Sequence, residues 1–165
     1  MEPLVEFETD LQPSQVHLKK NLVPTDFSTP SQQTLRYALR FAKEFGAQVT
    51  LLHVLEKTAI GAGPDMVGHM GYSDEQRGIA EKSLRALTAT TESAGAIKIG
   101  STLRDGVPAD EIIEAAKDFD TDLILIGTHG YKGWRKALLG STAQKVVRDA
   151  GCPVLVVREK EHEFI

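Results

Sequence analysis

Leu123-Ile124-Leu125-Ile126, four successive apolar residues followed by Gly127, is the stretch that narrows the fold furthest. Side chains of a strand point alternately to its two faces, so an unbroken apolar run is stable only when both faces are covered. A parallel sheet flanked by helices provides that cover. The rest of the chain agrees, because short apolar runs alternate with amphipathic stretches from about residue 19 onward, as repeated βα units do.

Strands are expected at 21–24, 48–55, 97–103, 122–126 and 153–157. The third alternates Ile97, Ile99, Ser101 and Leu103 with Lys98, Gly100 and Thr102, which suits an edge, whereas the fourth suits the centre. Thr29-Pro30-Ser31-Gln32 reads as a capping box with an early helical proline. The helix behind it carries Leu35, Ala38, Leu39, Ala42 and Phe45 on one stripe and stops at Gly46. Ser73 and Gln76 cap a second helix with Ile79, Ala80, Leu84 and Leu87 inward. Pro108 opens a third with Ile112, Ile113, Ala116 and Phe119. A fourth, from Ser141, carries Val146, Val147 and Ala150. Residues 57–72 hold four glycines and a proline without periodicity and read as a loop shaped like a flap. The fold class is α/β: a doubly wound five-stranded parallel sheet, order 3-2-1-4-5, with helices on both faces.

A chain of 165 residues with 41% apolar and 25% charged residues can build one core. The expected organisation is a flexible leader over 1–18, one domain over 19–158 and a tail over 159–165. A net charge of -4 gives no general attraction to nucleic acid or an anionic membrane, so neither is expected as a partner. Cys152 is the single cysteine, which excludes an internal disulfide, and its place before Pro153 reads as a small buried hydrophobe. The acidic start lacks the features of a signal peptide, and no run approaches the roughly 20 apolar residues of a membrane span. A cytoplasmic location is the expectation.

In the order 3-2-1-4-5 the winding reverses between strands 1 and 4, and ligands bind in the crevice beyond their carboxyl ends. Thr25-Asp26 and Gly127-Thr128-His129-Gly130 follow those ends. Gly127 and Gly130 allow backbone N–H groups to approach an anion, and Gly140, Ser141 and Thr142 open the last helix, whose N-terminus favours phosphate. The spacing G-x2-G-x9-G-S/T therefore supplies two anion-binding turns from one loop. Lys132, Arg135, Lys136, Lys145 and Arg148 make the stretch basic, as neutralisers of phosphate or as a solvated face. Asp26 suits a ribose hydroxyl or an adenine amine, or alternatively caps the following turn. His129 lacks a paired nucleophile or carboxylate and reads as a loop filler or a phosphate neighbour, not a base. His53 reads as a hydrogen-bonded core histidine, and His69 is too isolated to suggest a metal.

LVPTDFS at 22–28, LLHV at 51–54, GVPADEI at 106–112, GTHG at 127–130, LLGST at 138–142 and CPVLVV at 152–157 together resemble the universal stress protein family, over about residues 19–158. The resemblance implies a nucleotide-binding fold and, where the glycine pattern is kept, bound ATP or another adenine nucleotide, with Mg2+ as a possible companion. It places Pro24, Asp26 and Val54 at the adenosine end, Val107 near the base, and Gly127, Gly130, Gly140, Ser141 and Thr142 on the phosphates. It also implies a homodimer through the last strand, Pro153, Val154, Leu155, Val156 and Val157. The expected function is an ATP-binding regulator of the stress response. A slow Mg2+-dependent ATPase or a nucleotide-independent chaperone-like dimer are the alternatives.

Overall fold

The chain runs β1 (Lys20–Pro24), α1 (Thr29–Phe45), β2 (Gln48–Leu55), β3 (Thr58–Ile60), β4 (His69–Gly71), α2 (Asp74–Ala94), β5 (Ile99–Asp105), α3 (Pro108–Asp118), β6 (Leu123–Gly127), α4 (Ser141–Asp149) and β7 (Val154–Val157). These elements come from a computed structural model that describes residues 17–56, 58–60, 69–71, 74–94, 97–128 and 139–158. Five strands form one sheet in the order β5-β2-β1-β6-β7, with every neighbouring pair parallel. Counted along the chain, this is the expected 3-2-1-4-5.

The period of two along each strand divides the core into two layers. Val23, Leu51 and Leu125 face α1 and α2, where they meet Leu35, Ala38 and Leu84. Their strand neighbours Leu22, Leu52 and Ile124 face α3 and α4 and meet Ile112, Ala116 and Val146. Leu123 to Ile126 are all buried, which is what four consecutive apolar residues between two helical layers require. Each fully buried Leu or Ile contributes roughly 1.5–3 kcal/mol. Because α1 and α2 lie on one face and α3 and α4 on the other, the chain leaves β1 and β6 toward opposite sides, and the crevice opens there.

Several local expectations are corrected. The N-cap of α1 is Ser28, not Thr29: its side chain accepts from the Ser31 N–H, one residue earlier than the capping box implied. Phe45 sits where α1 reaches the end of the sheet; it is 43% exposed and packs only partly, against the Phe41 ring. Ile79 lies about one helical position off the stripe of Ala80, Leu84 and Thr91 that covers the edge of the sheet, and is 60% exposed. Val147 is likewise exposed, and Ala150 is the residue that ends α4. The edge strand starts and ends two residues later than 97–103. Residues 57–72 are not all loop, since β3 and β4 pair as an antiparallel ribbon. Ser73 and residues 61–68 lie outside the described residues, as do the leader through residue 16 and the tail from 159.

Gly46 ends α1 at φ 68, where its N–H bonds to the Ala42 carbonyl, as the expected stop required. Cys152 is half-buried against the α3–α4 layer, and that burial pushes its thiol pKa up against a smaller opposing effect of a backbone hydrogen bond with Ile124.

Candidate functional site

Pairing of Asn21 with Leu123 and Leu22 with Ile124 sets the level of β1 against β6. Carried forward along both strands, that register brings Thr25 and Asp26 level with Gly127 and Thr128. β2 is in register with β1 through Pro24 and Leu52, and the Thr25 N–H donates to the Leu52 carbonyl at 2.8 Å. The carboxyl ends of β1, β2, β5 and β6 therefore form one rim.

On the β1 side the turn between strand and helix is tightly wired. Asp26 Oδ1 accepts from the Ser28 N–H at 3.1 Å and from the Ser28 hydroxyl at 2.5 Å. Thr25 Oγ1 accepts from the Phe27 N–H at 3.1 Å and lies 3.1 Å from the Ser31 hydroxyl. Asp26 thus does hold the start of α1, the turn-capping role considered from the sequence. The buried Thr25 side chain is committed to the same helix start and leaves only its backbone at the rim. Phe27 adopts φ 64, a conformation that costs a non-glycine residue on the order of 1–2 kcal/mol. Its ring lies 4.5 Å from the His53 ring, and the Thr25 bond fixes its N–H. His53 Nδ1 lies 2.7 Å from the Thr25 carbonyl oxygen, which can only accept, so that nitrogen carries the proton. His53 is the hydrogen-bonded histidine expected. Phe27 and Ser28 were missed as contributors to this turn. The spacing Asp26-x-Ser28 was the available signal, since Asp side chains bond backbone N–H groups two residues on.

Across the rim, Val54 is half-buried against the α3–α4 layer and stands in register with Arg104. The Gly106 N–H donates to the Leu55 carbonyl at 3.0 Å, which holds the turn after β5 against the end of β2. Val107 follows as the N-cap of α3, with no side-chain hydrogen bond and 60% exposure. Valine is a poor N-cap because it offers no acceptor. Its position instead leaves an apolar surface on the same rim, beyond the carboxyl end of β5.

The β6 side is held by backbone hydrogen bonds. The Gly140 N–H donates to the Thr128 carbonyl at 2.8 Å, and the Thr128 N–H donates to Val157 at 3.0 Å. The start of α4 is thereby held beside the end of β6. Gly140 caps α4 without a side-chain bond, and its φ of -60 and ψ of 151 are open to any residue. The backbone conformation at Gly140 therefore does not itself demand glycine. Ser141 and Thr142 follow in the first turn, exposed and half-buried. His129 and Gly130, with Lys132, Arg135 and Lys136, lie outside the described residues. Two of the expected phosphate-neutralising cations are engaged elsewhere. Lys145 pairs with Asp110 at 2.5 Å and Arg148 with the adjacent Asp149 at 2.8 Å. Hydrogen bonding to that guanidinium holds the Asp149 carboxyl below its ordinary pKa.

Pro24, Thr25, Asp26, Val54 and Val107 are thus gathered with Gly127, Thr128, Gly140, Ser141 and Thr142 at one end of the sheet. Pro153 to Val157 belong to the other edge of the sheet, formed by β7, whose last residue Val157 pairs with Gly127 and accepts from the Thr128 N–H. Among the described residues no helix is long and apolar enough to cross a membrane.

Comparison with known proteins gives a consistent result. The family model described as the Universal stress protein family matches residues 17–158. Universal stress protein MJ0531 of Methanocaldococcus jannaschii is 35% identical over 145 residues, covering 88% of this chain and 85% of its own. The structure of universal stress protein UspA from Lactobacillus plantarum superposes with a TM-score of 0.73 at 24% identity, over 87% of this chain and all of that one. A universal stress protein in complex with cAMP superposes at 0.65 and 23% identity, over 88% of this chain and all of that one. The Archaeoglobus fulgidus protein in complex with dAMP gives 0.63 and 22%, over 86% and 98%. With the sheet order, the rim and the matched length all in agreement, the chain belongs to the universal stress protein family.

Proposed function

We propose that this protein binds an adenine nucleotide, ATP in the first instance, in the crevice between β1 and β6, and acts as a nucleotide-dependent regulator in the stress response. The observation that carries the reading is the bond from the Gly140 N–H to the Thr128 carbonyl. It sets a helix N-terminus with no side-chain cap against the end of the central strand, where backbone N–H groups and the helix dipole favour phosphate. Val54 and the exposed Val107 offer apolar contact to the base, and Asp26 offers an acceptor to the ribose. The cAMP and dAMP complexes of related folds support the ligand class. Mg2+ would enter with the triphosphate, bound through its oxygens.

Binding without fast turnover is the proposed activity, because no carboxylate pair or positioned base stands at the described part of the rim. The same reading assigns a homodimer through β7.

Equilibrium titration of the purified protein with a fluorescent ATP analogue tests the site. Saturable binding is expected, weakened at least tenfold in Gly140→Val, whose side chain would stand between phosphate and the helix N-terminus. Absence of saturable binding at millimolar nucleotide would overturn the proposal, and unchanged affinity in Gly140→Val would overturn the phosphate assignment.

A further inference from the structure

At the opposite end of the sheet from the crevice, the starts of β1, β2 and β5 and the end of α1 enclose a groove of about 950 Å³. That is near the upper end of ligand-sized clefts, roughly 300–1,000 Å³. Leu39, the exposed Phe45 and Ile97 give it apolar walls, and Lys19, Lys43 and Lys98 give it positive charge. Among the described residues these three lysine side chains have no ion-pair partner, whereas Lys20, also on the groove, pairs with Asp120. Lys43 offsets the negative end of the α1 dipole. One such cation meets that need, so the other two remain to be accounted for.

The charge that would balance them is in the chain itself. Four of the 23 acidic residues, Glu2, Glu6, Glu8 and Asp10, lie in residues 1–16, which contain no Lys or Arg. Beyond residue 16 the chain therefore balances 19 acidic against 19 basic residues, and the whole net charge of -4 belongs to the leader. The same segment alternates Val5, Phe7 and Leu11 with Glu6, Glu8 and Asp10, an apolar side and an acidic side at a period of two. It also joins the domain at the groove. Asp122 Oδ2 accepts from the backbone N–H groups of Lys19 and Lys20 at 2.7 and 2.9 Å, which fixes the exit point, and Lys19 lines the groove. A leader of this length reaches up to about 50 Å when extended, so reach does not limit it. The tail from residue 159 is also acidic, but it leaves β7 at the crevice end.

We infer that residues 1–16 dock in cis into this groove, their apolar side against Leu39, Phe45 and Ile97 and their carboxylates against Lys19, Lys43 and Lys98. The inference is independent of the nucleotide site.

The full-length chain tests it. A nitroxide is attached at Glu8→Cys in a Cys152→Ser background, and amide line broadening is recorded by NMR. At low salt the amides of residues 43–47 and 97–99 lose more than half their intensity, and the loss disappears at 0.5 M salt, where screening is stronger. Lys43→Glu with Lys98→Glu abolishes the effect, and adding Glu6→Lys with Asp10→Lys restores it. Unbroadened groove amides, or broadening centred on another surface, would overturn the proposal. Broadening in a mixture of spin-labelled unenriched chain with unlabelled 15N chain would assign the groove to the leader of a second copy and overturn docking in cis.

Discussion

Asp26 and Ser28 share one hydrogen-bonded turn but are separable in their consequences. Ser28 caps α1 and donates its hydroxyl to Asp26 but is not itself assigned to the ligand, so Ser28→Ala is expected to lower the unfolding free energy by about 1 kcal/mol, with a smaller loss of nucleotide affinity than Asp26→Ala. Asp26→Ala removes the acceptor that holds Ser28 and also the group assigned to the ribose, so both stability and affinity should fall. Denaturant unfolding and ATP titration on the two variants distinguish the roles, and equal affinities would remove Asp26 from the ligand. At this scale the sequence was informative about which residues stand at the rim and less so about what each one touches. Asp26 was placed at the rim from its position after an apolar run. The left-handed Phe27 was not foreseen, because nothing in the order of residues marks an aromatic side chain for φ 64; that conformation is imposed by the Thr25 bond and the His53 ring.

The turn between β5 and α3 shows how an element end can hold a site. Gly106 has φ 155, and a Cβ built there would lie 2.6 Å from Glu111 Oε1. Gly106→Ala is therefore expected to destabilise the fold on the order of 1 kcal/mol and, by displacing Val107, to weaken nucleotide binding several-fold. A thermal melt and the same titration read out the two effects; an unchanged affinity would mean that Val107 does not touch the base. Elements with strong periodicity, such as α1 and β2, were legible to within a residue. The β3–β4 ribbon was not, because three-residue strands are too short to express a period of two, and the glycines beside them signal turns. Ile79 and Phe45 were misplaced for a different reason. An apolar residue at helical spacing is buried only where a strand lies beneath it: Phe45 stands where α1 reaches the end of the sheet, and Ile79 lies off the stripe of α2 that covers the sheet's edge.

For the whole molecule, the sheet order was readable from the contrast between a continuous apolar strand and an alternating one, which separates centre from edge. Assembly is the property a single chain shows least. β7 is an edge, and its residues alternate between bonding β6 and facing outward: Pro153 and Val157 direct their carbonyls to β6, which leaves the backbone of Val154 and Val156 for another strand. Val156→Pro removes one outward N–H while sparing the β6 ladder, as proline is tolerated on an edge. Sedimentation at micromolar concentration should therefore give a dimer for the parent and a monomer with unchanged circular dichroism for the variant. A variant that stays dimeric would place the interface elsewhere.

The bond between Thr128 and Gly140 also carries a consequence for how this scaffold can diversify. It fastens the end of β6 directly to the start of α4, so these two ends stay joined whatever sequence links them. On the proposed reading of the site, ligand preference can change through substitutions in that linking sequence while the join of β6 to α4 stays the same.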